Sequence, residues 1–229
     1  MPGKPETFGA IFDMDGTLLD SYHAHQRSWQ QAMTELDIEY TSDDFRRHFG
    51  QRNEEIIRDI FQTLGRAEPN DTLIDSIADR KEALFRSVVV NDYSEMPGTT
   101  TLIKSLRAGG WKLAVGSSAP RENVELALDL LHLNDLIDET VCGCDVEQGK
   151  PAPDVFLKAA ESLGLETESC IVIEDAPAGI EAAHRAGMPA VAIECPHHKA
   201  DLSAAELQVT QFGECPESKL RTLIKEHDS

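Results

Sequence analysis

The pattern of apolar and polar positions changes twice along the chain. Residues 8–12 form a short, unbroken apolar run, the mark of a strand buried on both faces. From about residue 21 to 90 the apolar positions recur at helical spacing. The clearest case is Ile56, Ile57, Ile60, Phe61 and Leu64, which predicts a helix over 54–64. Similar patterns predict helices over 22–36, 42–49 and 71–88, with Ser42 placed to cap the second. No strand alternation interrupts these four. From Pro97 onward, short apolar runs at 111–116, 139–143, 170–173 and 189–193 alternate with helical stretches at 99–108, 120–131, 153–163 and 177–186. Gly109-Gly110, Gly164 and Gly187 mark helix ends, and prolines mark several helix starts. A closing helix is predicted over 217–225, whereas the stretch from Ala200 has no clear period.

Short apolar strands alternating with helices imply βαβ units and a parallel sheet covered on both faces. The predicted fold is α/β: a Rossmann-like parallel-sheet core over 1–17 and 93–229, interrupted by an all-helical domain over 18–92. Ligands of such sheets bind at the carboxyl ends of the strands. The insertion leaves at that edge, so it is expected to cover whatever binds there.

Composition narrows the partners. The 229 residues are 41% hydrophobic and 27% charged, an ordinary globular balance. No apolar run approaches the roughly 20 residues of a membrane span, and residues 1–6 lack the apolar core of a signal peptide. A cytoplasmic location and no membrane partner are expected. The formal charge of −20, from 21 basic and 41 acidic residues, argues against nucleic acid. It leaves room for a small phosphate-bearing substrate, which needs only local positive charge. None of the five cysteines forms C-x-x-C, and Cys142 and Cys170 have the apolar surroundings of free core thiols.

The chemistry lies at the strand ends. The first run stops at Asp13 and Asp15, followed by Gly16 and Thr17. Two acids at the mouth of a buried strand are costly unless something uses or neutralises them. The run at 111–116 leads into Ser117 and Ser118 just before a helix start, a setting that suits an anion. The next loop carries Lys150 in Gly149-Lys150-Pro151-Ala152-Pro153, where the prolines stiffen the backbone. The run at 170–173 ends in Glu174-Asp175. Each piece alone has an ordinary explanation as a surface acid pair, a helix cap or a solvated lysine. Their joint occurrence, each just past an apolar strand, does not. Three acids near one point repel strongly without a cation between them. Oxygen donors with few fixed protein ligands suit Mg²⁺.

In this order, Asp13-Met14-Asp15-Gly16-Thr17, Ser117, Lys150-Pro151 and Glu174-Asp175 resemble the motifs of the haloacid dehalogenase-like hydrolases, in the branch with a helical cap inserted after the first motif. The resemblance spans nearly the whole chain. It implies that Asp13 is the nucleophile and forms an aspartyl-phosphate, and that Asp15 is the general acid–base. It implies Mg²⁺ held by the Asp13 carboxylate, the Asp15 backbone carbonyl and Asp175, with Glu174 contributing directly or through water. Ser117 and Lys150 would hold the phosphoryl oxygens, with Thr17 and Ser118 beside them on the substrate.

Within that family the chain is similar to β-phosphoglucomutases and sugar-phosphate phosphatases. His25 and Trp29 match mutase positions in the first cap helix, and Arg80-Lys81 resembles the mutase pair whose lysine reaches the sugar. The departure lies in Phe49-Gly50-Gln51-Arg52-Asn53. Mutases place an arginine three residues after this glycine. Here Asn53 stands there and Arg52, the expected substrate contact, comes one residue earlier. The reading favoured is therefore a Mg²⁺-dependent phosphatase acting on a small phosphorylated metabolite, a sugar phosphate. The alternatives are a β-phosphoglucomutase, which interconverts β-glucose 1-phosphate and glucose 6-phosphate, and a non-catalytic metabolite-binding protein of the same fold. An ATP-driven kinase is disfavoured because no G-x-x-x-x-G-K-[ST] occurs. A monomer is expected, because a cap must open and close.

Overall fold

The structure, a computed structural model, describes residues 7–227. Residues 1–6, on which the absence of a signal peptide was argued, and residues 228–229 lie outside the described residues. In chain order the elements are β1 (Gly9–Phe12), β2 (Leu19–Asp20), α1 (Tyr22–Thr34), α2 (Ser42–His48), α3 (Asn53–Thr63) and α4 (Asp71–Val89). There follow β3 (Ser94–Glu95), α5 (Thr99–Ala108), β4 (Lys112–Gly116), α6 (Arg121–Leu130), β5 (Glu139–Val141) and α7 (Asp154–Leu163). The chain closes with β6 (Cys170–Glu174), α8 (Pro177–Arg185), β7 (Ala190–Ile193), β8 (Leu207–Val209) and α9 (Glu217–His227). Contacts divide it into two units: the chain up to Asp20 together with everything from Ser94 onward, and the segment Ser21–Tyr93.

The first unit is a parallel sheet in the order β5-β4-β1-β6-β7-β8. β1, β6 and β7 are buried at every position, which is why their sequences read as continuous apolar runs. Helices α7 and α8 pack Val155, Phe156, Ala159, Ile180 and Ala183 against Ile11, Val172 and Ala190 of the strands. From β1 the sheet grows to β4 and β5 on one side, then to β6, β7 and β8 on the other. Strand order therefore reverses at β1, and a crevice forms at the carboxyl ends beside such a reversal.

Three features depart from expectation. β2 and β3 pair antiparallel, Leu19 opposite Glu95 and Asp20 opposite Ser94, so the chain leaves and re-enters the unit as a narrow ribbon. β8 lies in the stretch that showed no period. Strands of two or three residues are too short to display one. β5 stops at Val141, short of the expected residue 143, because residues 143–145 turn, with the Asp145 carboxylate accepting from the Cys142 N–H at 2.8 Å.

In the second unit α4 packs against α1 and α3. Tyr22 meets Phe45 and Phe49 with ring centroids 5.0 Å apart in both cases. Thr41, rather than Ser42, caps α2: its hydroxyl accepts from the Asp44 N–H at 3.2 Å, and the Asp44 carboxylate accepts from the Thr41 N–H at 2.8 Å. Ser42 is instead the first helical residue.

Candidate active site

The carboxyl end of β1 carries the site. The Asp13 N–H still donates to the Ile173 carbonyl at 2.9 Å, extending the β1–β6 ladder by one bond and aiming the next residues outward. The chain then coils tightly, with the N–H groups of Leu18 and Leu19 on the Met14 carbonyl at 2.9 and 3.1 Å and the Gly16 N–H on Leu19 at 2.8 Å. Gly16 has φ +80°, and a Cβ there would overlap the Asp175 carboxylate. Only glycine permits both the turn and that approach. The glycine thus brings the acid at the end of β6 onto the loop that follows β1, and Thr17 Oγ1 lies 3.5 Å from Asp175 Oδ1.

Lys150 ties the two strand ends together. Its Nζ donates to Asp13 Oδ1 and, at 2.8 Å, to Glu174 Oε1. The other Glu174 oxygen accepts the N–H groups of Asp175 and Ala176, each at 2.7 Å. Gly179, in the first turn of α8, provides the room, since a Cβ there would overlap the Glu174 carboxylate. Both oxygens of Glu174 are therefore engaged, one by the lysine and one by the backbone that carries Asp175. On the other side of β1, Ser117 is buried at the end of β4. Its N–H donates to Val141 at 3.0 Å and its hydroxyl accepts from the Ala119 N–H at 3.1 Å. Ser118 is exposed beside it.

The electrostatics follow from burial. Asp13, Glu174 and Asp175 are at most 7% exposed and face one ammonium group. Desolvation pushes Asp13 up to about 7, against the pull of Lys150 and with the push of Glu174. Burial, then the charges of Glu174 and Asp13, hold Asp175 well above the usual carboxylate range. Burial also works against the charged form of Lys150, but Asp13 and Glu174 outweigh it and raise that group. The cluster has more buried negative charge than the lysine offsets, which is the condition a divalent cation relieves. Among the described residues no three His, Cys, Asp or Glu side chains form a ready cage. A Mg²⁺ site needs none, because two carboxylates and a backbone carbonyl suffice when waters and substrate oxygens complete the shell.

The helical unit gathers a second polar group of its own. Lys81 is buried, with Nζ 2.9 Å from His25 Nδ1 and donating at 2.9 Å to Glu82 Oε1. It lies 5.7 Å from the Trp29 ring centroid and 5.5 Å from that of Phe85. His25 stacks on Phe85 with centroids 4.1 Å apart. Asn53 Nδ2 donates to Glu82 Oε1 at 2.8 Å. Burial opposes ionisation of Glu82, yet Lys81 and His25 win and bring its carboxyl down to about 2.

The sequence-predicted residues thus fall into two sets. Asp13, Thr17, Lys150, Glu174 and Asp175 meet at the ends of β1 and β6, with Asp15 on the same loop. Ser117 and Ser118 stand at the end of the neighbouring β4. His25, Trp29 and Lys81 meet within the helical unit, and Arg52 is exposed at the start of α3. Glu82 and Asn53 were missed as members of it. In the sequence Glu82 extends an Arg-Lys-Glu run that reads as a solvated face. Arg80 does turn outward to Glu35, at 2.7 Å through two bonds, while Lys81 and Glu82 turn in.

Comparison with known proteins gives the family. A family model described as haloacid dehalogenase-like hydrolase matches residues 10–193. The chain is 32% identical over 183 residues to the fructose-1-phosphate phosphatase YqaB of Escherichia coli, covering 80% of this chain and 94% of that protein. It is also 32% identical over 191 residues to the protein SUPPRESSOR OF QUENCHING 1, chloroplastic, of Arabidopsis thaliana, covering 80% of this chain but 17% of that much longer protein. Among solved structures, a haloacid dehalogenase-type hydrolase of family IA from Entamoeba histolytica superposes with a TM-score of 0.86 at 27% identity, over 96% of this chain and 100% of the other.

Proposed function

The chain belongs to the haloacid dehalogenase-like hydrolases, and from that premise we propose that it is a Mg²⁺-dependent phosphatase of a small phosphorylated metabolite, a sugar phosphate. The observation that carries this reading is the Lys150 ammonium held between Asp13 and Glu174 at the strand reversal. It sets a fixed positive charge against a buried carboxylate nucleophile. Relatives named as sugar-phosphate phosphatases support the substrate class.

Asp13 attacks phosphorus and becomes an aspartyl-phosphate, splitting hydrolysis into two displacements. Asp15 gives a proton to the departing oxygen and later takes one from the attacking water. Lys150 and Ser117 hold the phosphoryl oxygens as charge shifts onto them. Glu174 keeps Lys150 in place and, through its second oxygen, fixes the backbone of Asp175. Mg²⁺ would be held by Asp13, the Asp15 carbonyl and Asp175, with Glu174 alongside, and when bound it neutralises the cluster and draws charge from the phosphoryl oxygens. Thr17 and Ser118 border the same loop ends and contact the substrate. His25, Trp29, Arg52 and Lys81 are assigned to recognition of the sugar.

No helix among the described residues is long and apolar enough to cross a membrane. The five cysteines are unpaired, which fits a reducing compartment, and we place the enzyme in the cytoplasm. The test is incubation with Mg²⁺ and a panel of sugar phosphates, including fructose 1-phosphate, and β-glucose 1-phosphate with a trace of glucose 1,6-bisphosphate. Released phosphate supports the phosphatase. Glucose 6-phosphate without free phosphate would establish a mutase, and turnover of nothing would leave a binding protein.

A further inference from the structure

Lys150 has a neighbour that phosphoryl chemistry does not require. Its Nζ lies 4.8 Å from the centroid of the Phe156 ring, within the roughly 6 Å over which a ring face attracts a cation. Phe156 is fully buried on α7, six residues after the lysine. Its ring is wedged beneath the end of β4, where a Cβ added at Gly116 would lie 3.1 Å from Cδ1 and 3.2 Å from Cε1. The same added Cβ would lie 3.2 Å from Ile11 Cγ2 of β1. The ring is therefore fixed against the two strands that lead to Asp13 and Ser117.

The geometry says what such a ring does. An ammonium group has three N–H donors on a long flexible stem. The Asp13 and Glu174 carboxylates take two of them. Their joint pull draws the group towards the acids. A ring face 4.8 Å away supplies attraction without a lone pair to accept a proton and without charge to repel a phosphate. It also covers the ammonium with apolar surface, so less hydration must be stripped from it when charge develops nearby.

We infer that Phe156 is a positioning residue for the phosphoryl transfer proposed above, its ring face holding the Lys150 ammonium where the reacting phosphoryl group needs it. The role rests on the phosphatase reading. The bland rival is that Phe156 only fills the core beneath the sheet, where Val155 and Ala159 also pack.

Replacing Phe156 with its 4-fluoro, 3,5-difluoro and 3,4,5-trifluoro analogues separates the two, because fluorine drains the ring face while nearly preserving its shape. With the best phosphate ester of the wild-type chain, kcat should fall stepwise, by about tenfold across the series, while KM moves less than twofold. A second series in a Lys150→Met background reads thermal midpoints instead. Fluorination should lower the midpoint with Lys150 present and leave it unchanged with Met. An active wild type with a flat kcat series overturns the inference alone, as does an equal loss of midpoint in both backgrounds. A wild type that releases no phosphate from any ester overturns the phosphatase reading and this role with it.

Discussion

Asp13→Asn should both end turnover and stabilise the metal-free fold. Asp13 moves from the ordinary 3.8 to about 7 because burial outweighs its contact with Lys150. At 1.36 kcal/mol per tenfold, its ionised form is less favourable in the fold than in the unfolded chain by about 4 kcal/mol. Between those two values the folded chain keeps a proton that the unfolded chain has lost. The contribution of Asp13 to stability in EDTA, read as the difference between wild type and variant, should therefore fall as pH rises from about 4 to 7 and level off above that. Asparagine mimics the protonated acid at every pH. The variant should match wild type near pH 4 and exceed it above pH 7 by up to about 4 kcal/mol, roughly 10 °C in midpoint. The lost ion pair with Lys150 is already inside this net figure. The chain has two tryptophans, and a Trp29→Phe background leaves Trp111, buried in the sheet unit, as the reporter of that unit. Thermal melts followed by its fluorescence near pH 4 and pH 8 make the assay, with phosphate release measured in parallel on Asp13→Asn in the chain that keeps Trp29. A variant no more stable than wild type at pH 8 would refute the claim that burial governs Asp13. A variant that still turns over would refute its role as nucleophile.

The metal prediction follows from the same cluster: Mg²⁺ should raise the thermal midpoint more at pH 8 than at pH 5, because protons compete for the ligands, and equal gains would speak against Asp13 and Asp175 as ligands. Asp15→Asn should cost a hundredfold or more on sugar phosphates but much less on acetyl phosphate, whose leaving group needs no proton; equal losses would remove Asp15 as general acid. In the helical unit, the Glu82 carboxyl at about 2 lies below its ordinary 4.5, so it contributes stability above that value which is lost as pH falls towards 2. Glu82→Gln should erase this acid dependence and destabilise the unit at pH 7 by about 3 kcal/mol, read by Trp29 fluorescence. Superimposable acid profiles for variant and wild type would count against a charged Glu82.

Much of the site was legible because the same local pattern that marks a buried parallel strand also marks its carboxyl end. Asp13, Ser117 and Glu174-Asp175 each follow a run whose apolar continuity reports burial on both faces. The helical insertion showed itself equally well, since its helices are long enough to display a period. The short elements did not: β2, β3 and β8 have too few residues for a pattern, and they form because neighbouring backbone needs partners.

Partnerships between distant side chains were beyond local reading. Lys81 and Glu82 stand in one charged run with Arg80, and only the packing of α4 against α1 and α3 decides that Arg80 meets Glu35 at the surface while its two neighbours turn inward. Lys150 is 137 residues from Asp13 and 24 from Glu174. Its motif marked it as a candidate, but its two carboxylates and the Phe156 face beneath it come together only because β1 and β6 pair and α7 packs under β4. The sequence by itself determined the α/β class and the acids at the strand ends, because burial and period are local properties, while the role of Asp13 as nucleophile came from the family resemblance. The tertiary structure alone decided which charge neutralises which, because that depends on distances set by every element between them.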